Sequence, residues 1–172
     1  DAKIYTGNET DDTIVQYGAG ILVGSMTTMG GSKADYVAVE NCHGSGMVYS
    51  PMYAGGLIGG ASYAQVSDCP DETFVKGHVC SGGFVGFPFL STFKNNTAKG
   101  NVESTGWSTG GFLGYDIEST IIKCTASGNV KADDWNLGGF AGYLNGTKVS
   151  NSSAYGDVTG TLTVNKTKAG GF

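Results

Sequence analysis

Residues Gly110–Gly139 read GGFLGYDIESTIIKCTASGNVKADDWNLGG and contain one full period of a repeat, closed by the first residues of the next. The stretch opens with two glycines, an aromatic residue, an apolar residue and another glycine. The same opening recurs as GGLIG at Gly55–Gly59, GGFVG at Gly82–Gly86 and GGFAG at Gly138–Gly142, with a degenerate GILVG at Gly20–Gly24. The repeats start near residues 20, 55, 82, 110, 138 and 170, and a period of about 28 residues is typical of a solenoid or a related array.

Each period divides into three short pieces with strand character. The first is the glycine-rich opening, and the second is rich in β-branched residues, as at Ile121-Ile122. The third follows the pattern Gly-x-Val, which occurs at Gly46–Val48, Gly77–Val79, Gly100–Val102, Gly128–Val130 and Gly156–Val158. No segment has an apolar stripe with the 3.6-residue period of a helix, so the pattern predicts almost no α-helix.

Equivalent positions carry equivalent apolar residues from one period to the next. In a parallel β-helix such positions stack about 4.8 Å apart and form continuous ladders in the core. A sandwich reverses direction at each strand and has no reason to keep one three-strand register. The predicted core ladders are Leu57, Phe84, Phe112 and Phe140 in one column and Val79, Val102, Val130 and Val158 in another.

The sequence therefore predicts an all-β fold, a single parallel β-helix of about five to six coils with three faces. A turn of ~28 residues is too long for the compact left-handed form with hexapeptide repeats, so we expect a right-handed helix. Residues 1–19 are expected to form a partial coil or cap, and residues 20–172 the repeats. An Asn/Asp-rich column at residues 41, 68, 95, 123 and 151 is predicted to lie at a corner. Pro70–Thr73 is predicted to form a loop insertion, offset by a loss of residues between Val79 and Gly82.

Composition excludes some function classes. The chain has 172 residues, 30 of them Gly, and a formal net charge of −5. No Lys/Arg stripe is present to neutralise phosphates, which argues against nucleic-acid binding. No apolar run approaches the ~20 residues of a membrane helix, so we expect no membrane insertion. A chain that begins at Asp1 is expected to be a mature form or an excised piece of a longer protein.

In its repeated openings the chain resembles the GLUG repeat family, whose signature is Gly, a large apolar residue, another apolar residue and Gly. The matching tetrapeptides are Gly56–Gly59, Gly83–Gly86, Gly111–Gly114 and Gly139–Gly142. Phe in place of Leu and the degenerate first copy depart from the signature. The resemblance implies a secreted or surface module, as in adhesins, haemagglutinin-like filaments and the non-catalytic regions of IgA-cleaving metallopeptidases. It supplies no catalytic residue, and the HExxH zinc motif of those peptidases is missing from this sequence.

Four cysteines allow three complete pairings. Cys69 could reach Cys80 across the predicted Pro70 loop, and Cys42 lies one coil from Cys69, within disulfide range. Buried free thiols are the remaining alternative. The Cys/His spacing does not match a metal site.

Two tryptophans, Trp107 and Trp135, each precede the Gly-Gly of a repeat by three residues and are expected to stack on adjacent coils. Exposed aromatic rings of this kind grip sugars, although the same residues could simply cover a corner of the core. The row Phe87, Tyr115 and Tyr143 has the same two interpretations, core or self-association on one side and ligand binding on the other.

Other candidate sites carry weaker signals. Carboxylate clusters at Asp71-Glu72, Asp116/Glu118 and Asp133-Asp134 leave a corner Ca²⁺ site open, but no DxDxDG loop supports it, and no other cofactor is expected. Among the Asn-x-Ser/Thr sequons, Asn8, Asn145 and Asn165 are the candidates for N-glycosylation, because Asn95 and Asn151 belong to the predicted corner column.

We expect a non-enzymatic, extracellular or cell-surface module of the adhesin or spacer type, whose partner is a host or environmental glycan or protein. The alternative is a filament subunit that stacks on copies of itself through open coil ends. A β-helical carbohydrate-active enzyme is a lesser alternative, since no pair of acids recurs on one strand face. No catalytic residue is assigned.

Overall fold

The computed structural model of the protein describes residues 2–5, 18–28, 35–133, 135–161 and 169–170. The described residues form strands joined by turns and bends, and they contain no helix. Most of the predicted N-terminal segment 1–19 lies outside them. The all-β prediction is confirmed.

The strands are short, and most lie in repeating groups. In chain order they are β1 (Ala2–Tyr5), β2 (Val23–Met26), β3 (Val37–Glu40), β4 (Gly46–Met52), β5 (Ile58–Ser62), β6 (Ala64–Ser67), β7 (Pro70–Asp71), β8 (Phe74–Val79), β9 (Ser81–Gly82), β10 (Val85–Phe89), β11 (Thr92–Lys94), β12 (Thr97–Ala98), β13 (Val102–Ser104), β14 (Thr109–Gly110), β15 (Leu113–Ile117), β16 (Thr120–Ile122), β17 (Thr125–Ala126), β18 (Val130–Ala132), β19 (Leu137–Gly138), β20 (Ala141–Asn145), β21 (Lys148–Ser150), β22 (Ser153–Ala154), β23 (Val158–Gly160) and β24 (Ala169–Gly170).

Each strand pairs in parallel with the equivalent strand of the next turn, so the described residues form a β-solenoid. Three long sheets form its sides: the valine sheet (β1-β4-β8-β13-β18-β23), the aromatic sheet (β2-β5-β10-β15-β20) and the third sheet (β3-β6-β11-β16-β21). Two sheets of two-residue strands link them, the glycine connector (β9-β14-β19-β24) and the cysteine connector (β7-β12-β17-β22). One turn passes through the valine sheet, the glycine connector, the aromatic sheet, the third sheet and the cysteine connector.

The solenoid has about four turns, so the predicted five to six coils are a slight overcount. Only residues 46–154 pass through all five sheet positions repeatedly. The outer repeats contribute only some of the strands of a turn to the described structure, namely β1, β2 and β3 at one end and β23 and β24 at the other. The predicted number of coils is too high because it counts each repeat start in the sequence as a whole turn, including the starts of incomplete turns.

The core is built from columns of stacked side chains. Phe84, Phe112 and Phe140 are fully buried, and their rings stack with centroids 4.8 and 5.1 Å apart and interplanar angles of 5° and 9°. Phe93 of the third sheet meets Phe84 and Phe112 edge-on at 6.2 and 6.1 Å. Parallel and edge-on ring contacts thus hold the aromatic and third sheets together.

The valine column consists of Val48, Val75, Val102, Val130 and Val158. The prediction that Val79 belongs to it is wrong, because Val79 pairs with Met52 further along the valine sheet. The predicted loop at Pro70–Thr73 is also wrong. Pro70 and Asp71 form β7 and pair in register with Thr97 and Ala98, so this turn, all of which is described, has neither the insertion nor the compensating loss.

Each turn has three corners at which one residue adopts a left-handed backbone conformation. The first corner joins the valine sheet to the glycine connector, the second joins the aromatic and third sheets, and the third joins the third sheet to the cysteine connector. The third corner is the predicted Asn/Asp-rich column, with φ between 52° and 56°: Asn41, Asp68, Asn95, Lys123 and Asn151. Asn and Asp tolerate this conformation better than other residues with a Cβ, which explains the composition of the column.

Side chains of one turn cap backbone N–H groups of the turn before. The Ala64 and Ser91 N–H groups donate to the Ser91 and Ser119 hydroxyls at 3.0 and 3.1 Å. At the third corner, the Cys69 N–H donates to Asn96 Oδ1 at 3.0 Å. These caps satisfy buried donors at the corners, where the regular strand ladder is interrupted.

Candidate functional site

A row of four aromatic rings runs along the outside of the solenoid. Tyr53, Phe87, Tyr115 and Tyr143 follow one another with centroid separations of 4.9, 5.7 and 4.8 Å and interplanar angles of 28°, 21° and 15°. Each ring comes from a different turn. The row is therefore a surface counterpart of the buried phenylalanine column.

Strand alternation places three of these rings outside. In β10 and β15, Phe87 and Tyr115 are partly exposed, whereas their neighbours at 86, 88, 114 and 116 are buried. One turn earlier the partner of Phe87 is Gly60, which has no side chain to continue the row. Tyr53 reaches this position from the first corner, where its φ is 48°.

Trp107 and Trp135 lie beside the row, on a first corner that is one residue longer than in the preceding turn. Gly77 pairs with Ser104, and Ser81 pairs with Thr109. Three residues lie between Gly77 and Ser81 in one turn, whereas four lie between Ser104 and Thr109 in the next turn. The extra residue, like a β-bulge, lets the corner project outward. The two indoles are 47% and 48% exposed. The Ser108 N–H donates to the Trp135 backbone carbonyl at 2.9 Å, which places the two tryptophans at equivalent positions of adjacent turns. The stacking of one indole on the other stays a prediction.

The indoles and the row enclose a groove. One cavity of about 580 Å³ is lined by Trp107, Tyr115, Trp135, Asn136 and Tyr143. A second, of about 300 Å³, shares Trp107 and Tyr115 with the first and continues toward Tyr53 and Phe87; it is also lined by Met52, Val79, Cys80 and Ile117. We call these two connected cavities the aromatic groove.

No residue that lines the aromatic groove carries a formal charge at neutral pH. Burial raises the pKa of Cys80 to about 12. Burial, and then the neighbouring Cys80 thiol, also raises the pKa of Tyr53. Both groups therefore stay neutral, and the groove offers apolar ring surface with phenol, indole and amide hydrogen-bonding groups.

The carboxylates considered for Ca²⁺ lie elsewhere. Asp71 and Asp116 are fully buried and face the interior. Asp71 accepts hydrogen bonds from the Thr73 hydroxyl at 2.8 Å and from the Thr73 N–H at 3.4 Å. Asp116 accepts from the Ser119 N–H at 3.3 Å and from the Thr147 hydroxyl. Asp134 lies outside the described residues, and in the part of the chain that the structure describes no three His, Cys, Asp or Glu side chains converge on a point.

All four cysteines are free thiols in the structure. The predicted Cys69–Cys80 disulfide is wrong because β7 replaces the expected loop and the two residues lie at different corners. Cys42 and Cys69 stack at the third corner, where the Cys42 N–H donates to Cys69 Sγ at 3.3 Å, but they too are unbonded. Each thiol donates instead to the backbone carbonyl two residues earlier, at 3.3 Å for Cys42 and 3.0 Å for Cys69.

Of the three candidate glycosylation sites, Asn145 is exposed at the end of β20, and Asn8 and Asn165 lie outside the described residues. Asn95 donates to Asp68 Oδ1 at 3.1 Å, within the third corner. The described residues include no helix that could cross a membrane.

The structure thus brings together both tryptophans and the Phe87/Tyr115/Tyr143 row in one groove. Sequence reasoning missed Tyr53 and Asn136, which both belong to the left-handed column of the first corner. The available signal for Tyr53 was indirect: Gly60 leaves a gap in the aromatic row that a neighbouring ring can fill.

Comparison with known proteins supports the repeat assignment. Residues 133–159 match the family model of the GLUG motif, a segment that spans most of the fourth turn, from the first corner to the start of β23. Comparisons with curated proteins and with solved structures gave no match.

Proposed function

We propose that this β-solenoid, which carries a GLUG repeat, is a non-enzymatic binding module of the adhesin type that holds a glycan in its aromatic groove. It acts outside the cell or at the cell surface, where such ligands are presented. The observation that carries the proposal is that six aromatic side chains from successive turns line one uncharged groove: Tyr53, Phe87, Trp107, Tyr115, Trp135 and Tyr143.

The chemistry of the groove suits sugars. The C–H face of a sugar ring packs on aromatic surface, and sugar hydroxyls need hydrogen-bonding groups at the edges of that surface. The half-exposed indoles supply the aromatic surface, and the tyrosine hydroxyls and the Asn136 amide supply the hydrogen-bonding groups.

Binding without turnover fits the same residues better than catalysis does. Glycoside hydrolysis normally requires two carboxyl groups that flank the scissile bond. The residues that line the groove include no carboxylate, and the buried Asp71 and Asp116 face the interior of the solenoid.

The proposal predicts that a glycan identified on a glycan array binds about tenfold more weakly to Trp107→Ala and to Trp135→Ala than to the parent. A loss of about tenfold is expected for one aromatic–sugar contact. Binding is measured by isothermal titration calorimetry. Tyr155→Ala is the matched control, since Tyr155 is an aromatic residue that is 74% exposed and lies outside the groove. Equal affinity of the Trp variants and the parent, or no binding to any glycan, would contradict the proposal.

The alternative function is a subunit that assembles into filaments. It is supported by the in-register parallel stacking, which leaves β20 and β21 as edge strands among the described residues. Unpaired backbone groups of an edge strand can pair with the edge of another copy.

A further inference from the structure

The layout of the aromatic groove points to a more specific ligand, and this inference rests on the proposed glycan-binding function. We propose that the groove binds a neutral, extended glycan chain that lies along the solenoid axis with one sugar for each turn.

The direction follows from the register. Tyr115 pairs with Tyr143, and Ser108 and Asn136, which follow the two tryptophans, occupy equivalent left-handed positions of neighbouring turns. Equivalent groups therefore repeat along the axis and not around the turn. Parallel strands repeat about every 4.8 Å, close to the length of one sugar in an extended β-linked chain.

The stacking within the row decides which surfaces are free. Because the rings of Phe87, Tyr115 and Tyr143 are nearly parallel and in contact, they cover each other's faces. The row therefore presents ring edges and phenol groups, and the most exposed aromatic rings of the groove are the two half-exposed indoles and Tyr143, which is 41% exposed. The strongest subsites are therefore in the two turns that carry Trp107 and Trp135.

The Tyr53–Phe87 end of the groove extends this site by two further turns. Its lining includes Trp107 of the next turn but no indole from the turns of Tyr53 and Phe87, where the first corner is one residue shorter. It offers Met52, Val79 and Phe87 as weaker, apolar subsites. A chain of about four sugars, at one per turn, fills the whole groove.

Charge restricts the ligand further. The groove has no cation to pair with a carboxylate or sulfate, and the chain as a whole has a net charge of −5. An acidic glycan would lose its hydration without gaining a partner. A neutral chain of sugars with equatorial hydroxyls, which leave C–H groups on both ring faces, fits the lining.

The test uses β-1,4-linked glucose oligomers of one to six units, with oligogalacturonides of the same lengths as the acidic series. By calorimetry, affinity is expected to rise about tenfold from the dimer to the tetramer and then to level off, and the acidic series is expected not to bind. Phe87→Ala should lower tetramer affinity more than dimer affinity, so that the gain in affinity with chain length is lost. Trp135→Ala should weaken both. Phe87→Leu, which keeps more of the packing volume, is a second variant in case Phe87→Ala does not fold.

The outcomes separate the two proposals. Affinity that does not change with length, or a tetramer affinity unaffected at Phe87, would overturn the axial arrangement and leave glycan binding intact. Binding of the acidic series alone would overturn the neutral-ligand assignment. Absence of binding to these probes and to every glycan of the array would overturn both.

Discussion

Asp71 is a charged residue type in a column of small apolar residues. The equivalent positions in the later turns are Ala98, Ala126 and Ala154, and all face the interior. A carboxyl fits there because Gly44 and Gly56 border it, and a Cβ on either glycine would overlap its oxygens. Burial raises the pKa of Asp71 to about 7, against the lowering effect of the Thr73 hydrogen bonds.

This environment predicts a pH-dependent stability. Because the folded state holds the proton more tightly than the unfolded chain, the stability that Asp71 provides is full below about pH 4 and is lost as pH rises toward 7. Asp71→Asn removes this dependence and should raise the free energy of unfolding at pH 8 by up to about 4 kcal/mol. Urea titrations at pH 4 and pH 8 measure the difference between variant and parent. Burial also raises the pKa of Asp116, but Asp116 is present in both proteins and its contribution cancels.

A difference between Asp71→Asn and the parent that is the same at both pH values would contradict this explanation, because it would show that Asp71 keeps the same protonation state across the range.

At the scale of the elements, the corners determine how the strands turn. Four of the five residues at the third corner are Asn or Asp. The remaining one is Lys123, with a φ of 54°. A left-handed conformation costs a residue with a long side chain about 1–2 kcal/mol, and Asn tolerates it better.

Lys123→Asn should therefore stabilise the protein, by about 0.5–1 kcal/mol, since Lys123 is exposed and its side chain is not needed for packing. Lys131→Asn is the control, because Lys131 is an exposed residue of β18, where Asn has lower strand propensity. Chemical denaturation of both variants gives the comparison. Destabilisation by Lys123→Asn, or an equal gain in both variants, would show that backbone strain at this corner is not the cause.

The elements also show where sequence reasoning fails. The pattern Gly-x-Val occurs at Gly77–Val79, but the residue in the valine column is Val75, because the true register depends on backbone pairing over the whole turn. The predicted insertion at Pro70–Thr73 and the predicted loss between Val79 and Gly82 together amount to a four-residue error in the alignment of this turn with the next. Only the pairing of β7 with β12 distinguishes the two.

For the whole molecule, the repeat period and the recurring phenylalanines were sufficient to predict the parallel β-solenoid. The groove could be predicted only in part. Periodicity places Phe87, Tyr115 and Tyr143 in one row, but it cannot show that the longer first corner brings Trp107 and Trp135 beside that row. It also cannot show that Tyr53 replaces the ring missing at Gly60, since the two belong to different columns.

Assembly is the property of the whole molecule that separates the two proposed functions. If the edges of the solenoid pair between copies, the weight-average mass in sedimentation velocity should rise with protein concentration. A constant monomer mass from micromolar to millimolar concentration would contradict the filament alternative. It would leave the binding module unaffected.

The three left-handed corners recur at equivalent positions in successive described turns, so the cross-section of the solenoid does not depend on how many turns it contains. Recombination within the gene that duplicates or removes a unit of about 28 codons would therefore lengthen or shorten the rod without a new core having to evolve. Where the duplicated unit carries a tryptophan at its first corner, each such event would also change the number of sugars that the proposed glycan site can hold.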